Sequence, residues 1–385
     1  MQNKVIPRAF GLFLPHKSTQ IPNPRPMIET LSTTTPVGTM ATMQEMGHEQ
    51  LVYCHDEASG LKAMIGIHST VLGPALGGTR MWNYKNEDEA VRDVLRLSQG
   101  MTYKAAVAGL NLGGGKAVII GNSRTDKSEA MFKAYGRFVN SLSGKYITAE
   151  DVGTSKTDMA WIASETAHVS GLPESMGGSG DPSPVTAYGV YMGMKAGAQA
   201  VFGTNDLAGR RVLVQGIGNV GSYLIDHLIS EGAKVYISDI YDPAIESLMK
   251  KYQGLSVVNP SLVAEADVDI YAPCALGGTL NNESIPLLRC SLVAGGANNQ
   301  LAEESDMQRL MDRSIAYAPD FVINAGGLIN VYAEIKGFNR DWAMEQTRNI
   351  YQQTLAIFEQ ASNDQLSTNK AAIQLAQKRL SSALS

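Results

Sequence analysis

The sequence predicts an α/β fold divided between two domains. Its 385 residues are enough for two domains of ordinary size. A content of 44% hydrophobic and 18% charged residues permits a large buried core. The third observation is an alternation of short apolar runs with helical segments between residues 210 and 320, which is typical of βαβ units. The predicted strands of this region are 211–215, 234–238, 268–271, 290–294 and 315–318.

Small or polar residues follow each of these strands. Examples are Gly216, Asp239, and the pair Pro319 and Asp320. In a parallel α/β sheet, ligands bind outside the carboxyl ends of the strands. We therefore expect a ligand site along this edge of the sheet.

The first half of the chain also mixes strands with helices. Asn86 precedes three acidic residues and an apolar stripe, which is typical of a capped helix start. The predicted elements here are strands 51–54 and 62–68, a helix at 86–98, a helix at 127–142, and a strand from Tyr146 that ends in the carboxylates of Glu150 and Asp151.

A stretch rich in glycine and proline, 176–184, is the best candidate for a linker between the two domains. A helix at 186–202 follows it, and the tail from about 338 to 384 predicts two helices. The resulting division is an N-terminal extension at 1–43, a first domain at 44–178, a second domain at 179–340, and C-terminal helices at 341–385 that pack back towards the first domain.

The first 28 residues contain four basic residues and no acidic one, a composition that resembles a targeting segment. However, Pro22, Pro24 and Pro26 would break the amphipathic helix that such a segment needs. We therefore expect a disordered extension, or a start codon placed too early with Met40 or Met43 as the real start.

Charge and cysteine content exclude several classes of function. A net charge of −5 disfavours a nucleic-acid surface, and no apolar run is long enough to span a membrane. The six histidines show no H-x-x-x-H pair, and the cysteines show no C-x-x-C spacing, so we expect neither a metal site nor a disulfide framework. Sparse cysteines indicate a reducing compartment, the cytoplasm. The three cysteines are Cys54, Cys274 and Cys290.

Residues 109–119, Gly-Leu-Asn-Leu-Gly-Gly-Gly-Lys-Ala-Val-Ile, form a second glycine-rich stretch, in which three glycines precede a lysine. The phosphate-binding P-loop has the pattern G-x-x-x-x-G-K-[ST]. Leu110 stands where its first glycine should be, and Ala117 replaces its hydroxyl residue. A nucleoside-triphosphate site is therefore disfavoured. We expect this loop to let the backbone pass close to a substrate, so that Lys116 can reach it.

A dinucleotide site is predicted after the strand 211–215. Residues 216–221 satisfy G-x-G-x-x-G between an apolar strand and a helix. The three glycines permit the tight turn, the approach to pyrophosphate and the packing of helix on strand, and the pyrophosphate lies at the helix N-terminus. The alternative is such a fold without a cofactor. The predicted contacts are Gly216, Ile217, Gly218, Asn219, Val220, Gly221, Ser222 and Asp239. Asp239 would accept from the ribose 2′-hydroxyl, which favours NAD over NADP.

Lys104 and Lys116 lie among small and apolar residues, and the carboxylate of Asp151 follows. A cation in such surroundings needs a partner or a function. Two buried lysines near one carboxylate should have different pKa values. One could stay charged and hold an anionic substrate group, while the other drops towards about 7–8 and exchanges protons at working pH.

Seven ordered motifs carry a resemblance: Leu72-Gly-Pro-Ala-Leu-Gly-Gly-Thr-Arg-Met-Trp82, Gly100-Met-Thr-Tyr-Lys-Ala-Ala106, Gly109-Leu-Asn-Leu-Gly-Gly-Gly-Lys116, Ile147-Thr-Ala-Glu-Asp-Val-Gly-Thr154, Asp181-Pro-Ser-Pro-Val-Thr-Ala-Tyr-Gly-Val190, Ala297-Asn-Asn-Gln-Leu301 and Ile323-Asn-Ala-Gly-Gly-Leu-Ile-Asn330. Together they resemble the glutamate/leucine/phenylalanine/valine group of amino-acid dehydrogenases, from about residue 44 to at least 335. The resemblance implies an N-terminal α/β catalytic and oligomerisation domain, a Rossmann-type NAD-binding domain and a cleft between them.

The resemblance also implies a reaction, the reversible NAD-dependent oxidative deamination of L-leucine and other branched-chain aliphatic L-amino acids to 2-oxo acids and ammonia. On the family pattern Lys104 binds the substrate carboxylate, Lys116 activates water and moves a proton at the α-carbon, and Asp151 exchanges protons with the amino group. The family also implies a homo-oligomer, typically an octamer. Four residues would complete the cofactor site: Thr186 and Asn298 at the nicotinamide amide, and Cys274 and Ala275 on the adenosine side.

Substrate choice rests on the apolar residues expected around the side chain. Leu76 stands where glutamate-specific members of the family carry a lysine, and an apolar residue there would leave a carboxylate unpaired. Leu328 stands where the family more often has valine, which leaves the ranking of leucine, isoleucine and valine open. Valine or phenylalanine specificity is the close alternative, and a non-catalytic nucleotide sensor is an alternative of another class. The predicted substrate contacts are Lys104, Leu76, Gly77, Gly78, Ala149, Leu328 and Val331.

Overall fold

The structure, a computed structural model, describes residues 38–384. The expectation of a disordered extension therefore lies outside the described residues for positions 1–37. The first described element, helix α1 at Thr39–Met46, ends at Gly47 in the left-handed conformation with φ 77°. Residues 39–43, which the sequence analysis placed in the extension, are thus helical.

A mixed five-stranded sheet forms the first half. Its order is β1-β2-β4-β3-β5. The pairs β1/β2 and β2/β4 are antiparallel, whereas β3 runs parallel to β4 and β5. The glycine-rich stretch at 113–116 is therefore the start of a central strand and not a loop. The strands are β1 at Gln50–Asp56, β2 at Leu61–Ser69, β3 at Ala75–Trp82, β4 at Gly113–Ile120 and β5 at Tyr146–Glu150.

Helices cover both faces of this sheet. Helix α2, Glu87–Val107, begins as predicted, because Asn86 accepts from the backbone N–H of Glu89 at 2.9 Å and so satisfies a free helix donor. It runs on past the predicted end at 98, packs over Met64 and Val118, and therefore carries Lys104 in its last turn. Helices α3, Glu129–Ser141, and α4, Lys156–Ala163, cover the opposite face.

The second sheet is entirely parallel, with the order β11-β10-β9-β6-β7-β8. This is the doubly wound order, and its connections reverse direction between β6 and β9, where such sheets bind ligands. The first two strands match their predicted bounds, β9 is shifted by two residues, and the last two strands are shorter than predicted. The strand β8 was not predicted, because only two exposed residues form it. The strands are β6 at Arg211–Gln215, β7 at Lys234–Ser238, β8 at Ser256–Val257, β9 at Ile270–Pro273, β10 at Leu292–Val293 and β11 at Ala316–Tyr317.

A 3-10 turn at Glu174–Met176 ends where the predicted linker stretch begins, and the first helix of the second half starts within that stretch, at Ser183. Further 3-10 turns lie at Pro260–Glu265 and Ile285–Leu287. The helices are α5 at Ser183–Phe202, α6 at Asn219–Ser230, α7 at Asp242–Lys251, α8 at Ser305–Asp312, α9 at Asp320–Ile323 and α10 at Gly326–Lys336.

The C-terminal tail forms three helices where two were predicted: α11 at Arg340–Arg348, α12 at Ile350–Asp364 and α13 at Thr368–Leu384. The first break falls at Asn349, which keeps helical backbone angles, so no strong stop signal marks it. Arg379 on α13 donates to the carbonyls of Ala105 and Ala106 at 3.3 and 3.0 Å. The tail is therefore attached to the end of α2.

No helix within residues 38–384 has the length and apolar character needed to cross a bilayer.

Candidate active site

The strands of the first sheet place charged side chains together. Side chains alternate between the faces of a strand, so Lys116 and Val118 of β4 share the face that α2 covers. Thr79 of β3 pairs with Glu150 of β5, which puts the next residue, Asp151, beside the same face. The Lys116 ammonium donates to the Asp151 carboxylate. Two residues far apart in sequence thus form one ion pair.

Burial and neighbouring charges set the protonation of this pair. Lys116 is 7% exposed. Its pKa is lowered because burial disfavours the cation, although Asp151 opposes this effect. For Asp151, burial alone would raise the pKa, but the nearby cations Lys116 and Arg80 hold it below its ordinary value. The pair therefore joins an ionised acid to a lysine that is prepared to lose its proton.

Lys104, in the last turn of α2, lies beside the second sheet. Its ammonium donates to Asn324 Oδ1 at 2.7 Å. The Lys104 pKa is lowered to about 8, chiefly by burial and in part by the charge of Lys116, while Asp320 opposes both effects. The sequence analysis expected one lysine pKa to fall, but both fall, because burial removes water from both side chains and the carboxylates around them offset this effect only in part.

Asn324 and Asp320 belong to the site, although the sequence analysis gave them no role. The amide of Asn324 donates to Asn298 Oδ1 at 2.7 Å and to the carbonyl of Gly296 at 3.2 Å. A chain of hydrogen bonds thus runs from Lys104 on α2 to Asn298 in the segment after β10. The sequence analysis had singled out the segments of both new residues: Asp320 follows the strand at 315–318, and Asn324 lies in the motif at 323–330. Their side chains could have been suspected on that ground.

The residues predicted around the substrate side chain lie mainly in one apolar cluster. Leu76 and Leu328 are buried in it, and Val331 packs against it. Ala149 is also buried and pairs with Gly78 across β3 and β5. These residues thus come from the paired strands β3 and β5 and from helix α10, and one apolar cluster includes both Leu76 and Leu328.

Two glycines of β3 are required by close approach. A Cβ on Gly77 would lie 1.7 Å from the carbonyl oxygen of Gly115, and one on Gly78 would lie 2.7 Å from Asp151 Cβ. Distances this short cannot occur between real atoms without movement of the backbone. Gly77 therefore permits the pairing of β3 with β4, and Gly78 makes room for Asp151.

The sequence analysis expected the glycines before Lys116 to open space for a substrate. They do not. A Cβ on Gly114 would lie 2.1 Å from the backbone nitrogen of Thr102, and one on Gly115 would lie 2.7 Å from the ring of Tyr146. Protein fills the space beside them, so these glycines serve the packing of β4 against α2 and β5. The position of Lys116 depends on this close packing.

The predicted dinucleotide loop has the features that a pyrophosphate needs. Gly216 has φ 91°, a left-handed conformation that favours glycine. A Cβ on Gly221 would lie 2.0 Å from the carbonyl oxygen of Gly216, whereas one on Gly218 would meet nothing within 4 Å. Helix α6 begins at Asn219 and has no side-chain cap, which leaves its first N–H groups available to an anion. The loop 216–221 therefore fits a pyrophosphate group.

The other predicted cofactor residues surround this loop. The Asp239 carboxylate accepts from the backbone N–H groups of Ile217 and Tyr241 at 2.8 and 2.9 Å, so it joins β7 to the loop. Cys274 Sγ accepts from the N–H of Gly296 at 3.3 Å, and burial raises the pKa of this thiol to about 11. A thiol in that state is a small packing group and not a nucleophile.

Several further side chains complete the description of this edge. Thr186 Oγ1 donates to the carbonyl of Pro182 at 3.0 Å, and Ser222 Oγ donates to that of Ile217 at 2.8 Å. A Cβ on Gly216 would lie 2.6 Å from Ala275, so the loop rests against that residue. Within residues 38–384 no group of His, Cys, Asp and Glu could hold a metal ion.

Comparison with known families decides what this arrangement belongs to. Residues 48–168 match the model described as the Glu/Leu/Phe/Val dehydrogenase dimerisation domain. Residues 177–242 and 243–385 match the model of the glutamate/leucine/phenylalanine/valine dehydrogenases. The chain belongs to this family. It is an amino-acid dehydrogenase, and both the α/β fold class and the family resemblance are confirmed.

Relatives within this family differ in the substrate that their names give. Leucine dehydrogenase of Bacillus cereus is 52% identical over 88% of this chain and 93% of its own length. Valine dehydrogenase of Streptomyces virginiae is 49% identical over 88% of this chain and 95% of its own. The crystal structure of L-tryptophan dehydrogenase from Nostoc punctiforme matches with a TM-score of 0.81 and 46% identity, over 89% of this chain and 99% of that one. Identity at this level shows the enzyme class but does not separate the substrates.

Two exposed apolar residues at the cofactor edge were missed by the sequence analysis. Ile240 directly follows Asp239 and is 91% exposed, and Leu276 directly follows Ala275 and is 76% exposed. Their only sequence signal is their position at the carboxyl ends of β7 and β9. Their neighbours Asp239 and Ala275 contact the G-x-G-x-x-G loop, so these exposed apolar side chains lie beside it.

Proposed function

We propose that this enzyme catalyses the reversible, NAD-dependent oxidative deamination of L-leucine and other branched-chain aliphatic L-amino acids. The observation that carries the proposal is the ion pair of buried Lys116 with half-buried Asp151, with Lys104 nearby and with the buried apolar residues Leu76 and Leu328 in one cluster. The reaction converts the amino acid, water and NAD to the 2-oxo acid, ammonia and NADH.

Each residue of the cluster has one task. Lys104, in its protonated form, binds the substrate carboxylate. Asp151 accepts a proton from the substrate ammonium group, which frees the nitrogen lone pair. Lys116, when neutral, takes a proton from the water that adds to the α-carbon, and returns protons as the carbon–nitrogen bond breaks. NAD, when bound, supplies the acceptor for the hydride that leaves the α-carbon.

The cofactor assignment rests on the loop 216–222 and on Asp239. The backbone N–H groups at the start of α6 would hold the pyrophosphate, with Thr186 and Asn298 at the nicotinamide amide. Cys274 and Ala275 would line the adenosine side, and Ile240 would cover the base. The Asp239 carboxylate would accept from a ribose hydroxyl and repel a 2′-phosphate, which supports a preference for NAD over NADP.

We further propose that residues 44–178 form the catalytic and oligomerisation domain, that 179–340 form the cofactor domain, and that active copies assemble as a homo-oligomer, an octamer. A family model described as a dimerisation domain matches the first of these segments. All three cysteines are free thiols, which supports a cytoplasmic location. Light scattering of the purified enzyme tests the assembly, and a monomer would contradict it.

The decisive experiment measures NADH formation from a panel of L-amino acids at alkaline pH, with NADP in parallel and Lys116→Ala as control. The panel contains leucine, isoleucine, valine, phenylalanine, tryptophan and glutamate. We expect the highest kcat/KM among the branched aliphatic substrates and none of this activity in the variant. A preference for valine or for an aromatic substrate would replace leucine as the main substrate, and no turnover of any amino acid would leave a nucleotide sensor as the better hypothesis.

A further inference from the structure

A third cation, Arg80 on β3, lies behind the Lys116–Asp151 pair. Its Nε is 3.7 Å from Asp151 Oδ2. This Nε–H is buried and has no hydrogen-bond partner, which is a costly state for a charged donor. The unpaired donor therefore has one nearby acceptor, the carboxylate that also pairs with Lys116.

Asp93 on α2 fixes the other side of the Arg80 guanidinium. Arg80 NH1 donates to Asp93 Oδ2 at 2.9 Å, and the hydroxyl of Tyr84 donates to the same oxygen at 2.7 Å. The planar guanidinium is thus held by one acid at its NH1 end, and its Nε edge is left for Asp151. A lysine could not reproduce this fork, because an ammonium is a point charge.

The backbone around Asp151 is also attached to β3. The N–H of Met81 donates to the carbonyl of Val152 at 2.9 Å, and Thr154 Oγ1 donates to the carbonyl of Thr79 at 3.0 Å. Gly153, with φ 81°, lies so close that a Cβ would be 2.1 Å from the carbonyl oxygen of Met81. The turn that carries Asp151 therefore keeps its distance from Arg80.

We propose that Arg80 is a positioning residue for the Lys116–Asp151 pair: anchored by Asp93, it orients the Asp151 carboxylate and places a fixed positive charge behind both groups. This inference rests on the proposed roles of Lys116 and Asp151. The charge of Arg80 lowers the pKa of Asp151, where burial opposes it, and adds to burial in lowering the pKa of Lys116. The charged and titratable groups that face the pair from the elements around it are Arg80, Tyr84, Asp93, Lys104 and Tyr146.

The test compares Arg80→Gln with Arg80→Lys and with Arg92→Gln. Arg92 is an exposed residue that lines the same cavity of about 480 Å³ as Arg80, so its variant removes one positive charge without touching Asp151. Two profiles are measured for each protein: kcat/KM against pH, and the rate of acylation of Lys116 by acetic anhydride against pH, read by mass spectrometry of its peptide.

In Arg80→Gln we expect both titrations of Lys116 to move up by about one pH unit. The value of kcat/KM on the ascending limb then falls about tenfold, since a tenfold smaller fraction of Lys116 is neutral at a given pH. Arg80→Lys keeps the positive charge, so the titration of Lys116 stays within about 0.3 pH units of the wild type. Loss of the planar guanidinium that orients Asp151 lowers kcat about fivefold without changing KM. Arg92→Gln retains the wild-type profiles.

A folded Arg80→Gln protein with both titrations unchanged would overturn the inference, even if its activity were reduced. Should Arg80→Gln fail to fold, as seen by circular dichroism, an Arg80→Lys protein with wild-type kcat would overturn it instead. The acylation profile needs no substrate. Absence of wild-type turnover would therefore sink the proposed function, while the titration of Lys116 would still decide the role of Arg80.

Discussion

Two glycine-rich segments of this enzyme contain a similar density of glycine for opposite reasons. In 113–115 each added Cβ would strike protein atoms, whereas Gly218 in the dinucleotide loop faces open space. The first segment uses every glycine to bring secondary-structure elements together, whereas in the second Gly216 and Gly221 do so and Gly218 leaves the space that the proposed pyrophosphate needs. Sequence composition does not separate these uses, because both need a residue without a side chain.

The largest expected effect tests the first segment. Gly114→Ala would place a Cβ 2.1 Å from the backbone nitrogen of Thr102, so β4 and α2 must separate. We expect a loss of at least about 3 kcal/mol in the free energy of unfolding, measured by urea denaturation. Gly100→Ala is the matched control, because Gly100 lies on α2 with nothing within 4 Å of a Cβ. This variant should have a free energy of unfolding higher by about 0.5–1 kcal/mol. Equal stabilities would show that β4 is loosely packed.

The second largest effect distinguishes Gly221 from Gly218 within the dinucleotide loop. Gly221→Ala should destabilise the fold by about 1–3 kcal/mol, because its Cβ would lie 2.0 Å from the carbonyl oxygen of Gly216. Gly218→Ala should leave the melting temperature nearly unchanged but weaken NADH binding about tenfold, since its Cβ occupies the space needed by the pyrophosphate. Calorimetry and fluorescence titration measure the two quantities. Undiminished NADH affinity in Gly218→Ala would remove the contrast between the segments.

A third prediction concerns the pH dependence of Lys104 on α2, the helix against which the first segment packs. The pKa of Lys104 is about 8 in the free enzyme, and only the protonated form attracts a carboxylate. The KM for the amino acid should therefore rise above pH 8, by up to about tenfold per pH unit. Lys104→Arg keeps its charge at every pH, so its KM should lose this dependence even if its kcat falls. A wild-type KM that stays flat to pH 10 would argue against Lys104 as the carboxylate site.

The smallest expected effect concerns the choice between NAD and NADP at Asp239. Asp239→Ser removes a half-buried charge that would repel a 2′-phosphate. We expect the ratio of kcat/KM with NADP to that with NAD to rise about fivefold, the size of a solvent-screened charge interaction of about 1 kcal/mol. An unchanged ratio would mean that Asp239 acts only through the backbone groups of Ile217 and Tyr241.

Local patterns predicted those parts of the structure that depend on nearby residues. The cap at Asn86, the strands 211–215 and 234–238, and the G-x-G-x-x-G turn rest on neighbouring residues, and the structure confirms them. The break at Asn349 was missed because its backbone stays helical. The end of α2 was missed because packing on β4, and not its own sequence, carries the helix to Val107.

The sequence by itself determined the family and the α/β fold class, because ordered motifs identify a lineage, and it singled out Lys104, Lys116 and Asp151 as candidates for the chemistry. Only the tertiary structure decided what surrounds those residues. It placed Asn324 against Lys104, Arg80 behind Asp151, and Thr102 against Gly114. Such contacts join strands and helices that are distant in the chain, and no local pattern encodes a distance between them.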